Sequence, residues 1–431
     1  MLPNQYEIIE LMNQINIKCA FCNNQSLDLV MDFGLNALAG GFLSKKQFSS
    51  EKFYPMRLCF CSDCFAVQII DQVEPDELFA DYFYFSSSIG TLSSHFQKHA
   101  KNMVSRFLHN PSKSSVLEFG CNDGVLLKPL AKENIGTVIG IDPATNVINS
   151  IEDEGVITIN DFLNTESANK IINQFGKMDL IFANNVYAHI ADMQNITQAI
   201  KVLLSSNGVF IFEVHYLDKI INDLQYDMIY HEHIYYHSFL SLENHFKNFN
   251  MKIFDAEEIP IHGGSMRYFV SHESSETHST LSNSAKAIKQ SELSKKFHLL
   301  ETYKNFATNV ENTKNELMHM LNHLKKEGHT IVGYGASGRA NTLIQYCGIT
   351  HAHLDYIIDD APAKEGFYTP GSHFEIKSNQ ALIDHKPDYI LVFAWSFFKE
   401  IAQKNSTFFA QGGKMIIPLP ELKIIEDISN I

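Results

Sequence analysis

The stretch Val116-Leu-Glu-Phe-Gly-Cys-Asn-Asp-Gly124 constrains the fold more than any other part of the chain. Val116 to Phe119 read as a short buried strand, and Gly120, Asn122 and Gly124 crowd the turn behind it. Leu126 to Glu133 then read as a helix, with Pro129 tolerable only near its first turn. A strand ending in small residues before a helix lets a ligand approach the backbone closely. A second strand, Thr137 to Ile141, ends in Asp142 about twenty residues later, where an acid suits the two hydroxyls of a ribose. The strict glycine fingerprint is absent, because Asn122 stands where a middle glycine would. Asn accepts left-handed backbone better than most residues. The pattern points to an adenosyl ligand, with a plain strand–turn–helix as the alternative.

From Val116 onward strands and helices alternate. Strands at 116–119, 137–141, 156–159, 179–183 and 208–213, separated by helical patterns, predict a parallel, doubly wound sheet. Ligands of such sheets bind beyond the carboxyl ends of the strands. The expected cofactor residues are therefore Glu118, Gly120, Asn122, Asp123, Gly124, Asp142, Pro143 and Asn184. Asp161 and Phe162, after the third strand, would flank an adenine ring with an acceptor and an apolar face. His189 is either catalytic or a partner for a neighbouring helix. Strands at 251–255 and 265–271 close the sheet, and Gly263-Gly264 between them permits a sharp turn. Residues 271–284 read as a linker, and Ala285 to Lys326 as continuous helix.

Five of the seven cysteines lie between Cys19 and Cys64. Cys19-Ala-Phe-Cys22 and Cys61-Ser-Asp-Cys64 are paired CxxC knuckles, a spacing that brings four thiolates to one zinc ion. A closed four-thiolate site has no open coordination position, so this zinc is expected to be structural, with Cys59 outside it.

Composition excludes whole classes of function. The net charge of −15 over 431 residues argues against a nucleic-acid surface and against binding to anionic membranes. No apolar run reaches the length of a membrane span. Met1-Leu-Pro-Asn-Gln-Tyr-Glu has no basic stretch ahead of an apolar core, so no signal peptide is expected. Unevenly spaced cysteines fit a cytoplasmic metalloprotein better than a disulfide framework.

The segment Tyr226-Asp-Met-Ile-Tyr-His-Glu-His-Ile-Tyr-Tyr-His-Ser238 is too polar for a core element and too aromatic for an ordinary loop. Histidine titrates near neutrality and is the commonest general base, and Glu232 can orient or polarise one at His233. A metal site at His231 and His233, or purely structural histidines, are the alternatives. Upstream, the aromatic run Tyr82-Phe-Tyr84 reads as a lid or a packed cluster.

A second glycine turn follows. Thr330-Ile-Val-Gly333-Tyr-Gly335-Ala-Ser-Gly338-Arg339 is a strand, a GxGxxG turn and a helix start, and Ile357-Ile358 ends in Asp359-Asp360. Such a turn places a phosphate on a helix N-terminus, and Arg339 and Lys364 add positive charge.

With all three parts in view the chain resembles the S-adenosylmethionine-dependent sugar C-methyltransferases. The resemblance rests on the turn Glu118 to Gly124, on Ile229-Tyr-His-Glu-His233, and on Gly333 to Thr342. Ala363 to Gly371 and Ala394-Trp395 extend it. It implies an α/β protein built round a Rossmann-like class I methyltransferase domain at 76–272. A zinc module at 1–75 and a C-terminal Rossmann-like domain at 273–431 flank it. It implies Glu232 and His233 as a catalytic pair, Tyr84 (or Tyr82) as a catalytic tyrosine, and His189 beside them. It makes Tyr230, Gly333, Gly335, Ser337, Arg339 and Lys364 candidate contacts to a nucleotide-linked keto-deoxysugar. In the implied chemistry His233 removes a proton beside a ketone, and Tyr84 or a neighbour hydrogen-bonds the oxyanion. The rival functions are an O- or N-methyltransferase, an NAD-dependent oxidoreductase using Gly333 to Gly338, and a zinc-stapled binding module without activity.

Overall fold

The computed structural model describes residues 17–74, 77–78, 90–151 and 155–430. Strands β1 (Leu27–Ala37), β2 (Phe53–Cys61) and β3 (Val67–Ile69) form an antiparallel sheet at the N-terminal end. The two knuckles sit before β1 and at the β2–β3 turn, so the strand pairing, and not a long loop, brings them together.

Helix α1 (Gly90–Phe107) leads into a seven-stranded sheet. Its strands are β4 (Ser115–Phe119), β5 (Thr137–Ile141), β6 (Ile157–Ile159), β7 (Met178–Asn184) and β8 (Leu204–His215). Helices α2 (Leu127–Ala131), α3 (Thr145–Ile148), α4 (Thr165–Phe175) and α5 (Met193–Leu203) connect them. After α6 (Leu217–Asn222), the short strand β9 (Tyr235–Tyr236) leaves this sheet and pairs with β3 of the first one. Helix α7 (Phe239–Lys247) then returns the chain to the antiparallel hairpin β10 (Met251–Ile259) and β11 (Ser265–His272). The spatial order β10-β11-β8-β7-β4-β5-β6 is parallel except at the hairpin, and it reverses direction at β4. The carboxyl ends of β4, β5 and β7 therefore open onto one crevice.

The predicted continuous helix from Ala285 to Lys326 is two helices, α8 (Asn283–Ser294) and α9 (Leu300–Lys326). Lys296 takes φ +62° at the break. Phe297 is thereby buried and its carbonyl accepts from the Tyr303 hydroxyl at 2.7 Å, a tertiary contact that overrides local propensity. The linker predicted at 271–284 is shorter than expected, since β11 runs to His272 and Ser282 caps α8.

The last sheet has the order β14-β13-β12-β15-β16-β17. It comprises β12 (Ile331–Tyr334), β13 (Ile357–Ile358), β14 (Ile376–Lys377), β15 (Tyr389–Val392), β16 (Lys414–Ile417) and an antiparallel edge, β17 (Lys423–Ile425). Helix α10 (Gly338–Cys347) follows β12. One apolar cluster joins Met31 and Phe33 of the first sheet, Tyr226 and Ile229 of the His-rich segment, and Leu343 and Ile344 of α10. A second joins Cys19, Phe21 and Cys64 to the central sheet. The N-terminal sheet is thus packed against both larger units.

Candidate active site

The turn after β4 is built as its sequence requires. Asn122 takes φ +50°, and its backbone N–H donates to Asp142 Oδ2 at 2.9 Å. Asp142 Oδ1 accepts from the Ala144 N–H at 2.9 Å, so one carboxylate ties the first turn to the end of β5. Burial raises the pKa of Asp142, opposed by those two hydrogen bonds. Glu118 is buried at the end of β4, and burial pushes its carboxyl up to about 8. Its Oε1 accepts from Asn184 Nδ2 at 3.0 Å. Glu118 Oε2 and Asn184 Oδ1 are buried with no partner among the described residues. Buried polar atoms are almost always bonded, so these two acceptors mark where the donors of a ligand belong. Asp123 is buried beside them, and Pro143 follows Asp142. Asp161 and Phe162 stand at the rim past β6, with the Phe162 ring 49% exposed. An ammonium group and two ribose hydroxyls satisfy this acceptor set, and an apolar ring face lies at its edge. The residues fit S-adenosylmethionine.

The His-rich segment lies across the crevice. His231 and His233, two apart, do not share a face. His231 Nε2 turns to the Pro55 carbonyl of β2 at 3.0 Å. His233 turns inward and donates Nδ1–H to the Met228 carbonyl at 2.9 Å. That bond fixes the tautomer and leaves Nε2 as the basic nitrogen. The Tyr230 hydroxyl meets Nε2 at 2.9 Å. The His189 ring stands edge-on to His233 with 4.9 Å between centroids, so His189 belongs to this cluster and not to a neighbouring helix. Burial holds His189 down at about 4 and His233 well below the usual histidine value. Glu232 lies against the Gly40 backbone, where an added Cβ would come within 3.1 Å of its Oε1. Burial pushes Glu232 up to about 7. The metal reading of His231 and His233 finds no support. Among the described residues the four cysteines alone bring three or more ligand groups together.

The second glycine turn repeats the device of the first. Asp359, at the end of β13, accepts from the Ala336 N–H at 2.8 Å and from the Ala361 N–H at 2.9 Å. Here, however, the cations are taken by the protein. Lys364 Nζ donates to the Ala336 carbonyl at 2.6 Å and to Asp359 at 3.1 Å. Arg339 grips buried Asp227 through Nε at 2.9 Å and Nη2 at 3.0 Å. Trp395 Nε1 donates to the same carboxylate at 2.9 Å. Arg339 and Lys364 are therefore not idle charges awaiting a phosphate. Gly333 is corrected too: it is a strand residue of β12, and a Cβ there would meet the Phe393 ring at 2.6 Å. The turn begins only at Gly335, and Ser337 Oγ caps α10 by accepting from the Ala340 N–H. Tyr230 packs on Gly338, so the ring that touches His233 also touches this turn.

Cys19, Cys22, Cys61 and Cys64 converge, with all four Sγ atoms within 4.8 Å of one another. Sγ–Sγ separations of 3.5 Å for Cys19–Cys64 and 3.6 Å for Cys22–Cys61 suit a tetrahedron of zinc–sulfur bonds about 2.3 Å long. Gln68 Nε2 donates to Cys19 Sγ at 3.1 Å, and Gln194 of α5 donates to the carbonyls of Ala20 and Phe21. Cys59 points elsewhere and burial pushes its thiol up, as expected of a non-ligand.

Tyr82 and Tyr84 lie outside the described residues. The sequence reading missed Asp227, His215 and His262. His215 was findable as the carboxyl end of β8, and His262 as the residue before Gly263-Gly264. Asp227 gave no local signal, because its partner stands 112 positions away.

Three family models match in chain order. “Putative zinc binding domain” covers residues 19–79, “Methyltransferase domain” 93–255, and “C-methyltransferase C-terminal domain” 260–420. The chain is 30% identical over 415 residues to the C-methyltransferase NovU of Streptomyces niveus, covering 96% of this chain and 98% of that one. Among solved structures, an S-adenosylmethionine-dependent methyltransferase of Clostridium acetobutylicum is similar at 18% identity and a TM-score of 0.33. It covers 46% of this chain and 95% of its own. The magnesium protoporphyrin IX methyltransferase of Synechocystis is similar at 14% identity and a TM-score of 0.32, over 44% and 85% of the two chains. No helix among the described residues is long and apolar enough to cross a membrane. With three matching modules in order and a relative similar over nearly its full length, the chain belongs to the family of S-adenosylmethionine-dependent C-methyltransferases.

Proposed function

We propose that the chain methylates a ring carbon next to a ketone in a nucleotide-linked deoxysugar, with His233 as general base. The observation that carries the reading is the fixed tautomer of His233. Nδ1 is committed to the Met228 carbonyl, which leaves Nε2 as an acceptor. A carbon acid needs such a base, whereas a neutral amine nucleophile does not. S-adenosylmethionine, held by Glu118, Asn122, Asp142 and Asn184 with Phe162 at the rim, supplies the electrophilic methyl group. His233 Nε2 takes the proton beside the ketone, and the electron pair is delocalised onto the ketone oxygen as an enolate. Glu232, partly protonated near neutrality, presents an O–H to that oxygen. Tyr84 is proposed as a second donor, and His189 as a neutral wall of the pocket. Backbone N–H groups at the start of α10, with Gly335 and Ser337, hold the pyrophosphate, and Lys364, engaged by Asp359 and the Ala336 carbonyl, braces that turn. Arg339, engaged by Asp227, acts on this site by positioning it. The thiolates required for zinc fit a reducing cytoplasm.

Mass spectrometry of the purified protein with S-adenosylmethionine and a panel of nucleotide keto-deoxysugars tests the reading. One methyl group on a ring carbon beside the ketone is expected. A methyl group on oxygen or nitrogen, or no turnover with any keto sugar, contradicts it.

A further inference from the structure

The base must be emptied after each turnover. One proton per methyl group transferred is left on His233 Nε2, and the ring is buried. Nδ1 is held by Met228, so the proton leaves from Nε2. Two imidazoles outside every sequence motif continue outward from this point. The His215 ring, at the end of β8, lies 5.2 Å from that of His233, and the His262 ring lies 5.8 Å from that of His215. Those centroid spacings suit a hydrogen bond or one intervening water between ring edges. Neither His215 nor His262 has a hydrogen-bond partner on its ring among the described residues. Both are only partly buried.

The backbone is bent to put His262 there. His262, Gly263 and Gly264 take φ of +54°, +84° and +115° in succession. A non-glycine residue in that region is uncommon and persists where the surroundings enforce it. Gln225 Nε2 holds the Gly263 carbonyl at 3.0 Å, and the Tyr216 N–H holds that of Gly264 at 3.3 Å. Gly263 also borders Arg339, where a Cβ would stand 3.7 Å from Nη1. Burial holds His262 below the usual histidine value; Glu213 opposes that shift, and His95 and Arg339 add to it. Glu213 itself is gripped by Arg267 Nε at 2.8 Å and His95 Nε2 at 2.9 Å.

We propose that His215 and His262 relay the proton of His233 to solvent, an inference that rests on His233 being the base. His233 Nε2–H gives its proton to one ring nitrogen of His215. His215 gives the proton of its other nitrogen to His262, and His262 gives one to water. One proton enters and one leaves, and all three rings end neutral after tautomeric reset.

His262→Asn, which keeps a residue tolerant of left-handed backbone, tests the relay in the full-length, zinc-loaded enzyme. In a single turnover the variant should methylate at the wild-type rate, because the first proton needs no exit. Its steady-state kcat should fall at least tenfold, with KM unchanged, and added imidazole should restore it. A second readout needs no methyl transfer. In deuterated water with S-adenosylhomocysteine in the donor site, exchange of the proton beside the ketone with solvent should slow in the variant, because the proton taken up by His233 Nε2 has lost its exit. Wild-type kcat together with wild-type exchange would overturn the relay. So would an equal loss in single turnover without rescue, which would make His262 a substrate contact. The same kinetic signature in Tyr230→Phe, and not in His262→Asn, would move the exit to Tyr230. If His233→Asn still removes the substrate proton, the base reading fails and the relay with it. If only His262→Asn behaves as wild type, the relay alone fails.

Discussion

The two glycine turns of this chain use one construction for different ends. At each, an aspartate closing the next strand takes two backbone N–H groups: Asp142 those of Asn122 and Ala144, Asp359 those of Ala336 and Ala361. What surrounds them differs. At the first turn Glu118 Oε2 and Asn184 Oδ1 are buried with no partner among the described residues. At the second, the charged groups are spent internally, Lys364 on Asp359 and Arg339 on Asp227. The first turn presents acceptors to a ligand rich in donors. The second is braced against the segment that carries His233, since Asp227 immediately precedes the residue whose carbonyl fixes that ring. A glycine fingerprint therefore says little until the partners of its neighbouring charges are known.

The largest expected effect breaks the brace. Asp227→Ala leaves the partly buried Arg339 and the Trp395 N–H without their carboxylate, and losing one member of a fully buried pair costs about 3–5 kcal/mol, an upper bound here. Denaturant unfolding should show that loss, and methyl transfer should fall with it. A variant as stable as wild type would remove the contrast between the turns. Next, Asp142→Ala should weaken S-adenosylmethionine by tenfold or more in calorimetry, since a charged hydrogen bond contributes roughly 1.5–3 kcal/mol. The matched Asp359→Ala should leave that affinity unchanged; equal effects from both would mean the turns are not specialised. Gly335→Val is narrower. Gly335 takes φ +97°, and its Cβ would lie 2.8 Å from Ala394 Cβ. The KM for the nucleotide sugar should rise several-fold while S-adenosylmethionine binding holds.

The smallest effect is on pH dependence. Burial and the nearby His189 depress His233 well below 6.5, so the ring stays neutral as pH falls through the ordinary histidine range. kcat/KM should be flat there and drop only in more acid solution. On the alkaline side Glu232, raised to about 7, loses its O–H as pH rises, so the rate should decline above neutrality. Glu232→Gln keeps a donor and should remove that alkaline limb. An unchanged limb would separate Glu232 from the oxyanion.

Much of this was legible because it is local. The β4 turn, the acid after β5 and the CxxC pairs are fixed by spacing within a few residues, and all fold as read. Gly333 was misread because β12 runs two residues further, to Tyr334, than the motif suggests. The roles of His231 and His233 could not be separated in sequence, since what distinguishes them is the Pro55 carbonyl from a strand far earlier in the chain. Asp227, His215 and His262 act through partners distant in sequence. The left-handed backbone at His262 is held by Gln225 and Tyr216, again from another element. The break in the helix before Leu300 follows from where Phe297 is buried, which periodicity does not report.

The central claim is that His233 makes the carbanion, and proton exchange tests it without the methyl step. In deuterated water, with S-adenosylhomocysteine in the donor site, the wild type should exchange the proton beside the ketone of a bound nucleotide keto sugar. His231→Asn, which removes contacts to Tyr54 and Pro55 of β2 and none to His233, should keep that exchange. His233→Asn should bind both ligands and exchange nothing. Exchange by His233→Asn at the wild-type rate would contradict the account and pass the role of base to His189 or Tyr84.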